Sequence, residues 1–275
     1  PRKGTTNVVD VEVRVKERST GTITLGAGYG TGGGFFLNAQ IQEINLFGRG
    51  QSISLQGVYA ADNLAKSLSL GFTDPYAFGT QWSLGAELFY VVFPIPDKYN
   101  LRRTGFNLRA GYPIADDINV FVSYKFEAMR VESKADPAVD ASLDEGLLSG
   151  IVWSLIRDKR NNRFETTGGD YQSIVIETAG IGFDKYFVKW NLNNRVYWNF
   201  AGDFVLRNST EFGHIFPTTA RGTPPSERFY LGGPNNLRGF FFYKVGPTQT
   251  VGSRVEPMGG TVQFFNLFEI EHPLI

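Results

Sequence analysis

Apolar and polar residues alternate with a period of two along nearly the whole chain, and this alternation restricts its fold more than any other feature. Successive side chains of a strand point to opposite faces, so a period of two marks a sheet with one apolar and one polar face. Over residues 22–30, Ile23, Leu25, Ala27 and Tyr29 share one face, while Thr22, Thr24, Gly26, Gly28 and Gly30 share the other. Over 81–92, Trp82, Leu84, Ala86 and Leu88 oppose Ser83, Gly85 and Glu87. Segments 106–112 and 118–127 repeat the pattern, and comparable ones lie at 35–43, 52–60, 66–73, 146–156, 171–181, 186–200, 203–216 and 261–272. The expectation is an all-β chain of about twelve antiparallel strands. Segments 171–181 and 203–216 alternate least cleanly.

A soluble β-sandwich and a transmembrane β-barrel both produce this alternation, and two features favour the barrel. Tyr29, Tyr59, Trp82, Tyr112, Tyr124, Trp153 and Trp198 lie on the apolar face near strand ends, as interfacial girdles do. The polar face mixes Gly, Ser and Asn with single charges such as Arg109, Lys125 and Lys189, which suits a wet lumen. Short connections at 47–50, 74–79 and 113–117 alternate with longer ones, the longest being 217–260. The absence of an apolar run of about 18 residues rules out a transmembrane helix but leaves a barrel open. Residues 1–18 differ: Val9, Val11, Val13 and Val15 alternate with charged side chains, as in the last strand of a separate soluble domain or a simple extension. The chain opens on Pro1 with no apolar leader, so a processed or cut start is expected.

Little in the sequence suggests catalysis. The 27 basic and 27 acidic residues balance, giving no cationic excess for nucleic acid. There is no Cys, and only His214 and His272 among histidines, so neither a thiolate nor a histidine metal site is expected. The glycines at 26, 28 and 30 precede no helix and no Gly-Lys-Ser/Thr, which argues against a phosphate loop. No Gly-x-Ser-x-Gly elbow occurs. Asp116-Asp117 and Asp144-Glu145 read as solvated acidic pairs in loops. The expectation is a non-enzyme with no catalytic residue, metal or cofactor.

In the stretch 231–247, Arg238 sits between a Gly/Asn-rich turn and the aromatics Phe240, Phe241 and Phe242. A loop tipped by Arg238, Gly239 and Phe240 makes sense if it folds back into a walled cavity where Arg238 meets a carboxylate. In segment 261–272, Glu269 and Glu271 share the face opposite Val262, Phe264, Phe268 and Ile270. If the apolar face meets lipid, both glutamates point inward and need solvation or a partner. A guanidinium can grip a carboxylate through two parallel hydrogen bonds.

This loop resembles the lumen loop of the BamA-like outer-membrane β-barrel assembly factors. Other matches fall in family order: the junction 11–30, the turns 45–50 and 73–76, the motif 157–168 (where a Pro is usual at Glu165), and 266–273 after the loop. The resemblance implies that residues 1–18 end a periplasmic POTRA domain and that 19–275 form a transmembrane barrel, with lumen loop 217–260. It implies sixteen strands, so that four would follow this sequence. It implies that Arg238 pins the loop on Glu269. It also implies that the first strand, Thr22, Ile23, Thr24, Leu25, Gly26, Ala27, Gly28 and Tyr29, forms a weak seam that templates incoming strands. The glycines there lower strand stability, or make room for lumen side chains. The implied partners are nascent outer-membrane β-barrel proteins, accessory outer-membrane lipoproteins and the lipid bilayer, without ATP. The alternatives are a sister family that secretes polypeptides through the lumen, which the junction 17–30 disfavours, and a passive porin.

Overall fold

The computed structural model describes residues 19–30, 34–61, 65–95, 98–134, 141–234, 236–251 and 254–272. The expected POTRA segment 1–18 lies outside them, as do Asn235 and Pro273. The strands are β1 (Gly21–Gly30), β2 (Gly34–Leu46), β3 (Gln51–Ala60), β4 (Lys66–Asp74), β5 (Ser83–Ile95), β6 (Tyr99–Ala115) and β7 (Ile118–Lys134). They continue as β8 (Gly146–Asp158), β9 (Gly169–Ala179), β10 (Phe187–Ala201), β11 (Phe204–Pro217), β12 (Thr248–Val251), β13 (Arg254–Pro257) and β14 (Val262–Glu271). Twelve of them build one antiparallel sheet in the order β1 through β11 and then β14, while β12 and β13 pair separately as a hairpin.

All twelve strands read from the alternation are present, including β9 and β11, whose patterns were weakest. Two departures have clear causes. β6 begins at Tyr99, well before residue 106. Its first turn of sequence holds Asn100, Arg102, Arg103 and Thr104, which look like loop residues, but Arg103 is neutralised across the sheet by Glu127. The loop after β11 contains the β12–β13 hairpin, which is too short to leave a periodic signature.

The register fixes which face each side chain occupies. Arg103, Lys125, Glu177, Lys189, Arg207 and Glu269 all fall on one face, reached by following the paired positions from β6 to β14. Trp82, Tyr112, Tyr124, Trp153 and Trp198 fall on the other, with Trp82 and Tyr112 stacked 5.0 Å apart between centroids. Large exposed apolar side chains concentrate on this second, outer face.

The buried core is not central. Ile95, Tyr99, Leu101, Met129, Leu148, Phe187 and Ile215 meet on the inner face at the strand ends that carry the longer connections. Phe229, from the loop after β11, packs among them. Gly213 makes room for it: a Cβ at Gly213 would lie 2.6 Å from the Phe229 ring. The loop therefore enters the concave side of the sheet, and one end of that interior is filled by a packed apolar plug.

Candidate functional site

The descending leg of this loop is fixed by buried charge. A single 3-10 turn, Pro225–Glu227, points Glu227 at the sheet. Its Oε1 accepts from Arg103 Nη2 at 2.6 Å, and its Oε2 lies 3.3 Å from Lys189 Nζ. Arg103 also lies 3.5 Å from Glu127, and Lys125 bridges Glu127 at 3.6 Å and Glu177 at 2.5 Å. Three cations and three carboxylates from β6, β7, β9, β10 and the loop thus form one neutral cluster. Burial alone would raise the Glu227 carboxyl, but Arg103, Lys125 and Lys189 outweigh it and pull it down to about 2. Lys189 also lies 5.3 Å from the centre of the Phe229 ring.

The neighbouring residue adds a second tie. The Ser226 amide and hydroxyl both donate to Asp144, the hydroxyl at 2.6 Å, and the Tyr99 hydroxyl donates to the same carboxylate. The reading of Asp144 as a solvated loop acid is therefore incorrect, since it is fully buried. The loop covers it, and its three donors replace water. Asp117, in the other acidic pair, is paired with Arg157 at 3.3 Å and Lys159 at 3.4 Å.

The loop then runs towards the opposite end of the sheet. Bridges between Phe229 and Gly260, and between Leu231 and Val245, hold its legs side by side. The tip turns where Gly232 adopts φ +114, and a Cβ there would meet the Phe241 carbonyl at 2.1 Å. Asn236 accepts from the amides of Gly232 and Leu237. Gly239 sits at φ +87, in the left-handed region that side chains disfavour, which accounts for a glycine directly after the arginine.

At this tip Arg238 Nη1 lies 2.5 Å from Glu269 Oε1 on β14. Glu271 does not contact Arg238 in the described geometry. It pairs instead with Arg207 of β11 at 2.6 Å, and Arg207 also lies 3.6 Å from Glu269. Arg207 is held 5.2 Å from the centre of the Tyr197 ring. Lys189 and Tyr197 are eight positions apart on β10, about 27 Å along the strand, so the loop is tied at two distant levels. The tip is the looser one: the Arg238 side chain is 67% exposed. Phe240, Phe241 and Phe242 are also exposed in the described geometry.

β1 forms the other edge. It pairs residue by residue with β2 and, among the described residues, with nothing on its far side. Ile23, Leu25 and Tyr29 are each more than 70% exposed. Thr22, Thr24, Gly26 and Gly28 occupy the inner face, facing Gln42, Gln40, Asn38 and Phe36. A Cβ at Gly26 would lie 2.1 Å from Asn38 Oδ1, and one at Gly28 2.5 Å from the Phe36 ring. These glycines accommodate inner-face side chains of β2, and they leave β1 with little packing of its own.

Sequence reasoning did not find Glu227, Asp144 or Arg103. Lys125 and Lys189 stood out only as single lumen charges. The usable signal was that charged residues fell repeatedly on the inner phase of β6, β7, β9 and β10, which requires an equal number of opposite charges nearby.

An antiparallel sheet with girdled outer aromatics, a polar interior and a long loop folded inward defines an outer-membrane-type β-barrel. Residues 45–274 match the Omp85 superfamily domain, and the chain belongs to that superfamily. It is 29% identical over 270 residues to the outer membrane protein assembly factor BamA of Neorickettsia risticii, covering 96% of this chain and 36% of that protein. It is 28% identical to BamA of Nitratidesulfovibrio vulgaris, over 94% of this chain and 33% of that one. A Xenopus laevis sorting and assembly machinery component 50 homolog B is 28% identical over 74% of this chain. The fold matches the crystal structure of BamA from Haemophilus ducreyi lacking POTRA domains 1–3, with a TM-score of 0.80 and 21% identity, covering 94% of this chain and 55% of that one. The chain spans about a third of the length of the BamA relatives it matches.

Proposed function

We propose that this chain is the barrel portion of an outer-membrane assembly factor that folds and inserts nascent β-barrel proteins into the bacterial outer membrane. It acts without a catalytic residue, metal or cofactor. The observation that carries this reading is the combination of an under-packed first strand, β1, with a loop strapped through the interior. A strand with so little packing of its own can open and offer its N–H and C=O groups to an incoming strand, and Ile23, Leu25 and Tyr29 give it an apolar outer face suited to lipid. The loop, tied at Glu227 and at Arg238–Glu269, braces the inner face of β6, β10 and β14. The partners are nascent β-barrel proteins, accessory outer-membrane lipoproteins and the surrounding bilayer. Similarity to BamA over more than nine-tenths of the chain supports the assembly role over polypeptide secretion.

A depletion-and-rescue assay tests this. The full-length protein, wild type or with Arg238→Glu, is expressed in its host while the chromosomal copy is shut off, and several unrelated outer-membrane barrels are followed. Wild type is expected to restore all of them. If depletion leaves those barrels intact and abolishes one secreted protein or one solute flux, the chain is a dedicated transporter instead.

A further inference from the structure

The outer face carries an unexpected row of polar side chains. Arg157 on β8, Gln172 on β9, Asn194 on β10, Thr210 on β11 and Asn266 on β14 are direct cross-strand neighbours in unbroken succession. They are bonded in two groups, Arg157–Gln172–Asn194 and Thr210–Asn266. Arg157 Nη1 donates to Gln172 Oε1 at 2.6 Å, Gln172 Nε2 donates to Asn194 Oδ1 at 3.2 Å, and Asn266 Nδ2 donates to Thr210 Oγ1 at 2.5 Å. Asn208, one outer position away on β11, closes the far end by donating to Asn266 Oδ1 at 3.0 Å and accepting from Thr210.

Large apolar side chains flank the row on the same face: Trp190, Trp198, Phe212, Phe264 and Phe268 are all exposed on it. Asn194 lies four positions from Trp190 and four from Trp198, midway between the two aromatic levels of β10. A row perpendicular to tilted strands climbs across the membrane, because barrel strands lean by about 40°. Its lower end is charged: Arg157 is held by Asp170 at 2.6 Å and by Asp117 at 3.3 Å. Its upper end reaches the middle of the apolar band on β14.

Uncompensated amides in hydrocarbon are costly, and the row's internal bonds satisfy only part of its capacity. Each carboxamide has two donors and two acceptor sites, whereas Asn194 has one bond within the row. The row is continuous with the aqueous rim at Arg157, so water and headgroups have a polar path along it.

We infer that the outer face of β8–β14 is a membrane-contact surface that draws the hydrated headgroup layer inward along Arg157, Gln172, Asn194, Thr210 and Asn266. The inference rests on the barrel spanning a bilayer and is independent of the assembly role. The occupant is lipid headgroup with its water, not a protein.

Residues 1–275 contain no cysteine, and with any cysteine elsewhere in the full-length protein replaced by serine, single introduced ones can be spin-labelled cleanly. The full-length protein is reconstituted in phosphatidylcholine vesicles with a label at Leu192→Cys, beside the row, or at Leu88→Cys, on the outer face of β5. Collision with a water-soluble nickel chelate and with oxygen is measured at each. The label at 192 is expected to meet the nickel chelate several-fold more often than the label at 88. Adding Asn194→Leu, Thr210→Val and Asn266→Leu should remove that excess. Equal nickel accessibility at the two sites in otherwise wild-type protein overturns the inference. So does protection of position 192 from both reagents, which would mean that a protein covers this face.

Discussion

The two ties on the lumen loop use the same chemistry in different surroundings. At the upper tie Glu227 is buried among Arg103, Lys125 and Lys189, and the Asp144–Ser226 bonds lie beside it. At the lower tie Arg238 meets Glu269 at a shorter distance, but its side chain is largely exposed. Distance alone would rank the lower tie first, and burial reverses the order. An exposed ion pair contributes about 0–1 kcal/mol, whereas removing one partner of a buried pair costs about 3–5 kcal/mol because the remaining charge stays buried and uncompensated. The upper tie therefore holds the loop, and the lower one positions its tip. A tip with a weak hold can move while the leg above it stays seated.

Substitutions should separate the two roles in graded fashion. Glu227→Gln leaves three cations against Glu127 and Glu177 and should loosen the descending leg by about 3–5 kcal/mol, read as loss of stability in urea titrations of the folded protein in micelles. Asp144→Asn weakens three accepted hydrogen bonds and should cost about 1.5–3 kcal/mol in the same assay. Gly239→Ala meets no steric obstacle but must hold a left-handed conformation, at about 1–2 kcal/mol, and its effect should be confined to the tip. Arg238→Gln should cost no more than about 1 kcal/mol, a loss that shrinks further in high salt. A large effect of Arg238→Gln on global stability would break the ranking.

Acid provides a further contrast. The Glu227 carboxyl is held near 2, below its ordinary 4.5, so its contribution is fully present above about pH 4.5 and is lost as the pH falls towards 2. Protease cleavage of the descending leg should therefore be unchanged between pH 8 and pH 5 and should rise steeply between pH 4 and pH 2.

The fold was legible because a period of two needs no tertiary information. Strands whose inner faces are Gly, Ser and Gln, such as β2 to β4, showed themselves as clearly as the aromatic-rich β5. The start of β6 did not, because Arg102 and Arg103 look like loop residues until the register shows their acidic partners. Arg238 stood out locally, between Gly239 and the aromatics that follow. Glu227 had no such local mark. Its meaning depends on four strands whose sequence positions span Arg103 to Lys189, and a single chain read in order does not bring them together. The amide row on the outer face was hidden for the same reason: Gln172, Asn194, Thr210 and Asn266 are each unremarkable within their own strands and become a feature only in register.

The most direct test places a reporter on the buried leg. Thr223 is buried, so a Thr223→Cys thiol reacts with a water-soluble maleimide only when the leg lifts away from the sheet. Labelling rates are compared in protein with no other change, with Glu227→Gln and with Arg238→Gln. The rate should rise at least about a hundredfold with Glu227→Gln and at most about fivefold with Arg238→Gln. The reverse order would mean that the Arg238–Glu269 pair at the tip, and not the buried cluster, holds the loop in place.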